Sequence, residues 1–137
     1  MKLAIITDQH FGARKGAEYI HRYFKNFYDN IFFPYLEKNK IDTVVDMGDT
    51  FDNRRNIDLV TLEWSKKNYY DRLQAMGITV HTIVGNHTAY YKDTNEVNTV
   101  ELLLKEYDNV EVYSEPTTVN IGGLDILMLP WINEENK

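Results

Sequence analysis

Lys2-Leu3-Ala4-Ile5-Ile6-Thr7-Asp8-Gln9-His10-Phe11-Gly12 opens with a short apolar run and ends in a polar turn, and the same arrangement recurs twice downstream. Thr43-Val44-Val45-Asp46-Met47 leads into Gly48-Asp49-Thr50-Phe51-Asp52, and Thr79-Val80-His81-Thr82-Ile83-Val84 leads into Gly85-Asn86-His87. Each run has the β-branched, aliphatic character of a buried strand. Between the first two, residues from about Glu18 to Leu36 carry apolar pairs every four residues: Tyr19-Ile20, Tyr23-Phe24, Phe27-Tyr28, Ile31-Phe32 and Tyr35-Leu36. That spacing gathers them on one broad helical face, expected to be core. Pro34 is expected either to kink the last turn or to mark its stop. Asp58 is placed to cap a second helix running to about Met76, with Gly77 as its terminator. Strands alternating with helices of about 18 to 20 residues imply parallel pairing with right-handed crossovers in one sheet. The expected fold class is α/β.

Beyond Gly85 the sequence predicts a polar loop over Thr88 to Asn95 and a helix from about Glu96 to Tyr107. Short strands follow near Val110 to Tyr113, Thr118 to Ile121 and Leu124 to Leu129, with Gly122-Gly123 as a hairpin turn. No repeat, low-complexity tract or linker divides the 137 residues, and 43% hydrophobic with 13% aromatic content suffices for one core. The absence of cysteine excludes disulfides and thiolate metal sites and suits a cytoplasmic protein. Leu3 to Ile6 is too short an apolar run for a signal peptide or a membrane span. A net charge of −6 argues against general attraction to nucleic acid. Bound divalent cations would reverse that potential locally, so a phosphate substrate stays open.

The three turns carry the chemistry, because ligands of a parallel α/β sheet bind beyond the carboxyl ends of its strands. Asp8 and His10, two residues apart, can chelate one cation if the turn is extended and both side chains point to the same side. Asp49 can bridge two cations with one oxygen each, and the Asn86 carboxamide can serve the second. His87, beside a ligand, is placed to stabilise or protonate a leaving oxygen, with water as the nucleophile. Gly12, Gly48 and Gly85 allow tight turns beside such a site. Asp52 either orients a ligand or stabilises its turn. Arg14-Lys15 and Arg54-Arg55 either grip phosphates or are ordinary solvated charges. The competing reading of the whole set, carboxylates and amides that merely cap helices and turns, has to explain its recurrence in order at three consecutive strands. His21 is expected at the surface or an interface, and His81 as a packed or hydrogen-bonded strand residue. Neither belongs to the metal set. Apolar surface on the second helix, Leu59, Leu62, Trp64, Tyr69 and Leu73, serves either the core or a second copy.

As a set, the D-x-H-x-G, G-D-x-x-D and G-N-H elements resemble the calcineurin-like metallophosphoesterases over about residues 1 to 90. Asp8 to Gly12, Gly48 to Asp52 and Leu129-Pro130-Trp131 are most similar to the SbcD-type nucleases of DNA double-strand-break repair. The compact, aromatic-rich sequence also resembles the recombination nuclease subunits of T-even-like phages. The resemblance implies a metallophosphoesterase-type sandwich, with sheets flanked by helices, and a site for two divalent cations, manganese preferred and magnesium the alternative. It implies exonuclease and endonuclease action on DNA in recombination, replication and repair, a homodimer, and an SbcC-type ABC ATPase partner with a long coiled coil. The setting is the cytoplasm, the host's if the source is a phage. Asp8 and His10 then match first-metal ligands, Asp49 the bridge, Asn86 a second-metal ligand and His87 the catalytic histidine.

Two departures qualify the match. Thr88 stands where the family usually has an acidic residue after G-N-H, and no histidine follows His87, although the family completes its shell with a lone histidine and a G-H-x-H pair. Residues 1–137 are therefore expected to be the N-terminal part of a longer nuclease domain, weak or inactive alone. One alternative is another calcineurin-like phosphatase or nucleotide hydrolase, disfavoured by Asn53 and Thr88 at positions where protein phosphatases have arginine and glutamate. The other is a non-catalytic module for dimerisation or partner binding.

Overall fold

In the computed structural model, which describes residues 2–13, 17–52, 58–85 and 104–132, the three apolar runs form strands β1 (Ala4–Ile6), β2 (Thr43–Asp46) and β3 (Thr79–Ile83). With β4 (Val110–Tyr113) they make one sheet in the order β1-β2-β3-β4, every neighbouring pair parallel. Ile5 lies opposite Val45, Val45 opposite His81, and His81 opposite Glu111. Because side chains alternate along a strand, Val44 and Asp46 face one side of the sheet and Val45 the other.

Helices cover the Val44 side. The first comprises α1 (Glu18–Phe27), a π-helical turn over Tyr28–Phe32, and α2 (Phe33–Lys38). At the π-turn the Phe33 N–H reaches back to the Tyr28 carbonyl. This change of register makes Pro34 a first-turn residue of α2, where its missing N–H costs little. Pro34 is therefore not a stop, and the helix continues to Lys38. The second helix repeats the design: α3 (Leu59–Ser65), a π-turn over Lys66–Tyr70, and α4 (Asp71–Ala75). Asp58 Oδ1 accepts the Thr61 N–H at 2.7 Å, the expected cap, and Gly77 ends the segment at φ 72°. That N–H holds the Asp58 carboxyl below its usual range.

Both π-turns deliver tyrosines to the core, and the Tyr28 and Tyr69 rings lie 5.1 Å apart. Phe11 joins them, within ring contact of Phe51, Trp64, Tyr69 and Tyr70. The expected apolar face of the first helix divides: Tyr28, Phe32 and Leu36 are buried, whereas Tyr19, Tyr23, Ile31 and Tyr35 face outward. The four-residue pairing is wider than one contact stripe, so only one member of most pairs reaches the sheet. Leu59 is also exposed, while Tyr69, Tyr70 and Leu73 are core. His21 corrects its expected surface position: it is buried and stacked on Trp64 at 4.7 Å, and burial lowers its pKa. His81 is hydrogen-bonded to the Tyr113 hydroxyl at 2.8 Å.

The opposite side of the sheet receives an antiparallel hairpin, β5 (Thr117–Ile121) and β6 (Leu124–Met128), turning at Gly122-Gly123. Val45, Ile121 and Met128 form the core of that layer. The result is an α/β arrangement of helices, parallel sheet and a second small sheet. Of the helix expected over Glu96 to Tyr107, only residues 104–107 are described, with Leu104 and Tyr107 buried in the helix-side core. The loop expected over Thr88 to Asn95 lies outside the described residues. Among the described residues, no helix is long and apolar enough to cross a membrane.

Candidate metal centre

The parallel order β1-β2-β3 brings the three turns to one edge of the sheet, with the Asp49 turn in the middle. The first two turns are zipped together past the ends of their strands. Asp8 N–H donates to the Gly48 carbonyl, His10 N–H to Asp49 and Phe11 N–H to Thr50, at 3.0, 3.0 and 2.8 Å. Asp52 N–H returns a bond to Phe11, closing a bridge between Phe11 and Phe51.

Within this frame Asp8, His10 and Asp49 converge: one ligand atom from each lies within 4.8 Å of the others. They do so by a route that spacing alone does not predict. The turn is not extended, because Asp8, His10 and Asp49 all adopt left-handed backbone, at φ 53°, 47° and 52°. Non-glycine residues take up such geometry at a cost and keep it only where their surroundings impose it. Here the surroundings are the cross-turn bonds. Asp52 lies against the same centre: its Oδ1 is 3.0 Å from His10 Nδ1, and Asp8 Oδ1 is 3.3 Å from His10 Nε2. Carboxylate oxygens and an imidazole make a donor set suited to a divalent cation.

The third turn enters through close approach. A Cβ on Gly85 would stand 2.2 Å from Asp49 Oδ1 and 2.6 Å from the Asp49 backbone nitrogen, so only glycine fits against the Asp49 turn. Leu129, Pro130 and Trp131 come back beside it. Trp131 N–H donates to the Val84 carbonyl at 2.8 Å, and the three residues line a cavity of about 250 Å³ shared with Met47, Asp49 and Gly85. Asn86, His87, Arg14, Arg54 and Arg55 lie outside the described residues.

Behind the ligands runs a buried polar network that the sequence reading missed. Gln9, between Asp8 and His10, donates to Asp46 Oδ2 at 2.9 Å and accepts from the Tyr28 hydroxyl at 2.5 Å. Asp46 also accepts from Gly48 N–H at 3.1 Å and Thr50 Oγ1 at 3.2 Å. All of Gln9, Tyr28, Asp46 and Thr50 are buried. Burial pushes the Asp46 carboxyl up to about 7, against the pull of its three donors. The signal available in sequence was an aspartate inside an otherwise apolar strand.

A family model described as calcineurin-like phosphoesterase matches residues 1–131. The chain belongs to that family. Divalent metals are characteristic of it, in keeping with the Asp8, His10 and Asp49 group. The phosphoesterase chain is also 39% identical over 138 residues to the exonuclease subunit 1 of enterobacteria phage T4, covering 99% of this chain and 40% of that protein. The chain thus spans about two fifths of the length of the relative it matches.

Proposed function

We propose that these residues form the N-terminal part of a nuclease domain that hydrolyses DNA phosphodiesters at a two-metal centre, within an exonuclease and endonuclease subunit of recombination and repair. The observation that carries the reading is the convergence of Asp8, His10 and Asp49 at adjacent strand ends, in a phosphoesterase chain that is 39% identical to a phage exonuclease subunit. Two divalent cations, manganese or magnesium, would supply Lewis acidity that activates water and neutralises phosphate charge. Asp8 and His10 would hold the first, Asp49 would serve both, and Asn86 would serve the second. Asp52 Oδ1, 3.0 Å from His10 Nδ1, would accept a hydrogen bond from a proton carried there and so leave Nε2 for a cation. His87 gives its proton to the leaving oxygen, and Arg14, Arg54 and Arg55 hold flanking phosphates. The relative's designation as a subunit supports a further component, proposed as an SbcC-type ATPase with a coiled coil; the resemblance to the SbcD-type nucleases supports a homodimer of the nuclease itself.

The test is cleavage of linear duplex DNA in manganese by the protein as the cell makes it, in parallel with a manganese-binding titration. Asp49→Ala loses both cleavage and metal. His87→Ala loses cleavage and keeps the metal. Cleavage retained in either variant refutes the assigned roles.

A further inference from the structure

Gln9 sits between two ligands without facing the cation site. Its carboxamide is buried, its N–H₂ engages Asp46 from the second strand, and its carbonyl takes the Tyr28 hydroxyl from the first helix. Asp46 in turn grips both residues that flank Asp49, through Gly48 N–H and Thr50 Oγ1. One continuous chain of buried hydrogen bonds therefore runs from the Asp8-His10 turn to the Asp49 turn. The backbone bonds from Asp8 and His10 to Gly48 and Asp49 set the spacing of the main chains. The side-chain network does something they cannot: it anchors both turns to the helix layer from behind.

We propose that Gln9 is a positioning residue, clamped between Asp46 and Tyr28 so that Asp8, His10 and Asp49 stand at cation-binding separation before a cation arrives. The proposal rests on the metal-centre reading above and specifies how this chain preorganises it. The chemistry is directional. Asp46 Oδ2 accepts from the Gln9 amide and the Tyr28 hydroxyl donates to its carbonyl, so the residue at position 9 must present a donor on one side and an acceptor on the other, and a carboxamide does both without ionising. A hydrocarbon of similar size fills the space and leaves the Asp46 oxygen without its Gln9 donor. A glutamate removes the amide donor and sets a second acidic group against Asp46.

The experiment measures Mn²⁺ affinity of the protein as the cell makes it by calorimetric titration, with thermal unfolding of each variant recorded alongside. Gln9→Leu, Gln9→Glu and Asp46→Asn should each weaken Mn²⁺ binding by ~10- to 100-fold, the range found when partners that orient metal ligands are lost. The double exchange Gln9→Glu with Asp46→Asn reverses donor and acceptor across the pair and should return affinity close to the unsubstituted value. Leu36→Ala is the control for stability. It opens a hole where Leu36 meets Ile41 and Ile78, at the opposite ends of the strands, and should lower the melting temperature without changing Mn²⁺ affinity. Unchanged affinity in Gln9→Leu overturns the positioning role while leaving the metal centre standing, and so does a double exchange no better than its single members. No Mn²⁺ binding by the unsubstituted protein as the cell makes it overturns the metal-centre reading and this one with it.

Discussion

Gly85→Ala is the smallest change that reaches the centre without touching a ligand. The added carbon meets Asp49 Oδ1 at 2.2 Å, Asp49 N at 2.6 Å and Asp49 Cγ at 3.1 Å, whereas ordinary contact begins near 3.4 Å. The carboxylate oxygen must retreat by about 1 Å, and rotation of the Asp49 side chain alone does not relieve the contact with its backbone nitrogen. That backbone has little freedom, because its carbonyl accepts from His10 N–H and its φ is already left-handed. Overpacking of this kind costs ~1–3 kcal/mol. A site that needs its groups held within ~0.5 Å cannot absorb a displacement twice as large. The expected outcome is a fall of ~10- to 100-fold in Mn²⁺ affinity, measured by titration with Asp49→Ala as the floor. The melting temperature should drop as well, and the Gly77→Ala variant, strained at φ 72° but with nothing within 4 Å of the new carbon, provides a comparison that loses stability alone. Mn²⁺ binding by Gly85→Ala equal to that of the unsubstituted chain refutes the packing argument.

Asp46 predicts an unusual dependence of stability on pH. Its carboxyl, buried and raised to about 7, keeps its proton in the folded chain across a range where the unfolded chain, near 3.8, has lost it. Unfolding then releases a proton, so stability should fall as pH rises from about 4 to about 7, by up to ~4 kcal/mol at 1.36 kcal/mol per pH unit. Urea denaturation at several pH values should show this slope and show it flattened in Asp46→Asn; a slope of the other sign rejects it. Asp52→Ala should weaken Mn²⁺ binding by ~10-fold, because the His10 ring loses the partner at Nδ1 that orients it. Histidine ring nitrogen shifts in the metal-free chain report the same change, and an unaltered tautomer in that variant would count against Asp52 as the orienting group.

The strands were legible because each is a short β-branched run ending in a glycine-bearing polar turn, and Asp58 and Gly77 announce the second helix's ends by side-chain chemistry that acts locally. The π-turns were not, since nothing local in Tyr28 to Phe32 distinguishes an i to i+5 bond from the ordinary helix; the register shift places Tyr28 against Tyr69 across the core, a tertiary reason. His21 was misplaced for the same cause, because its partner Trp64 lies on the other helix. At the site, residue types revealed Asp8, His10 and Asp49, but the left-handed backbone that aims them depends on bonds between turns some forty residues apart in sequence. Gln9 and Asp46 have no motif. Their meaning lies in a contact between strands that only the fold creates.

In the strained, like-charged centre the sign of a charge effect separates a metal site from a turn cap. Asp8 and Asp49 each bring a carboxylate oxygen within 4.8 Å of the other. With Asp8's side chain 57% exposed, the water value applies, and the repulsion is ~1 kcal/mol before salt screening. Asn tolerates left-handed backbone at least as well as Asp, and its oxygen still accepts from Thr7 Oγ1, so Asp8→Asn relieves charge without new strain. The metal-free variant should be more stable by ~0.5–1 kcal/mol, a melting temperature a few degrees higher. Saturating Mn²⁺ should reverse the order, because ligand binding to the folded state stabilises the unsubstituted chain more. A residue kept only to cap a turn gives the opposite result: Asp8→Asn is neutral or destabilising without metal, and Mn²⁺ leaves the ranking untouched. Stability sacrificed in the absence of a cation and recovered in its presence is the thermodynamic mark of a binding site.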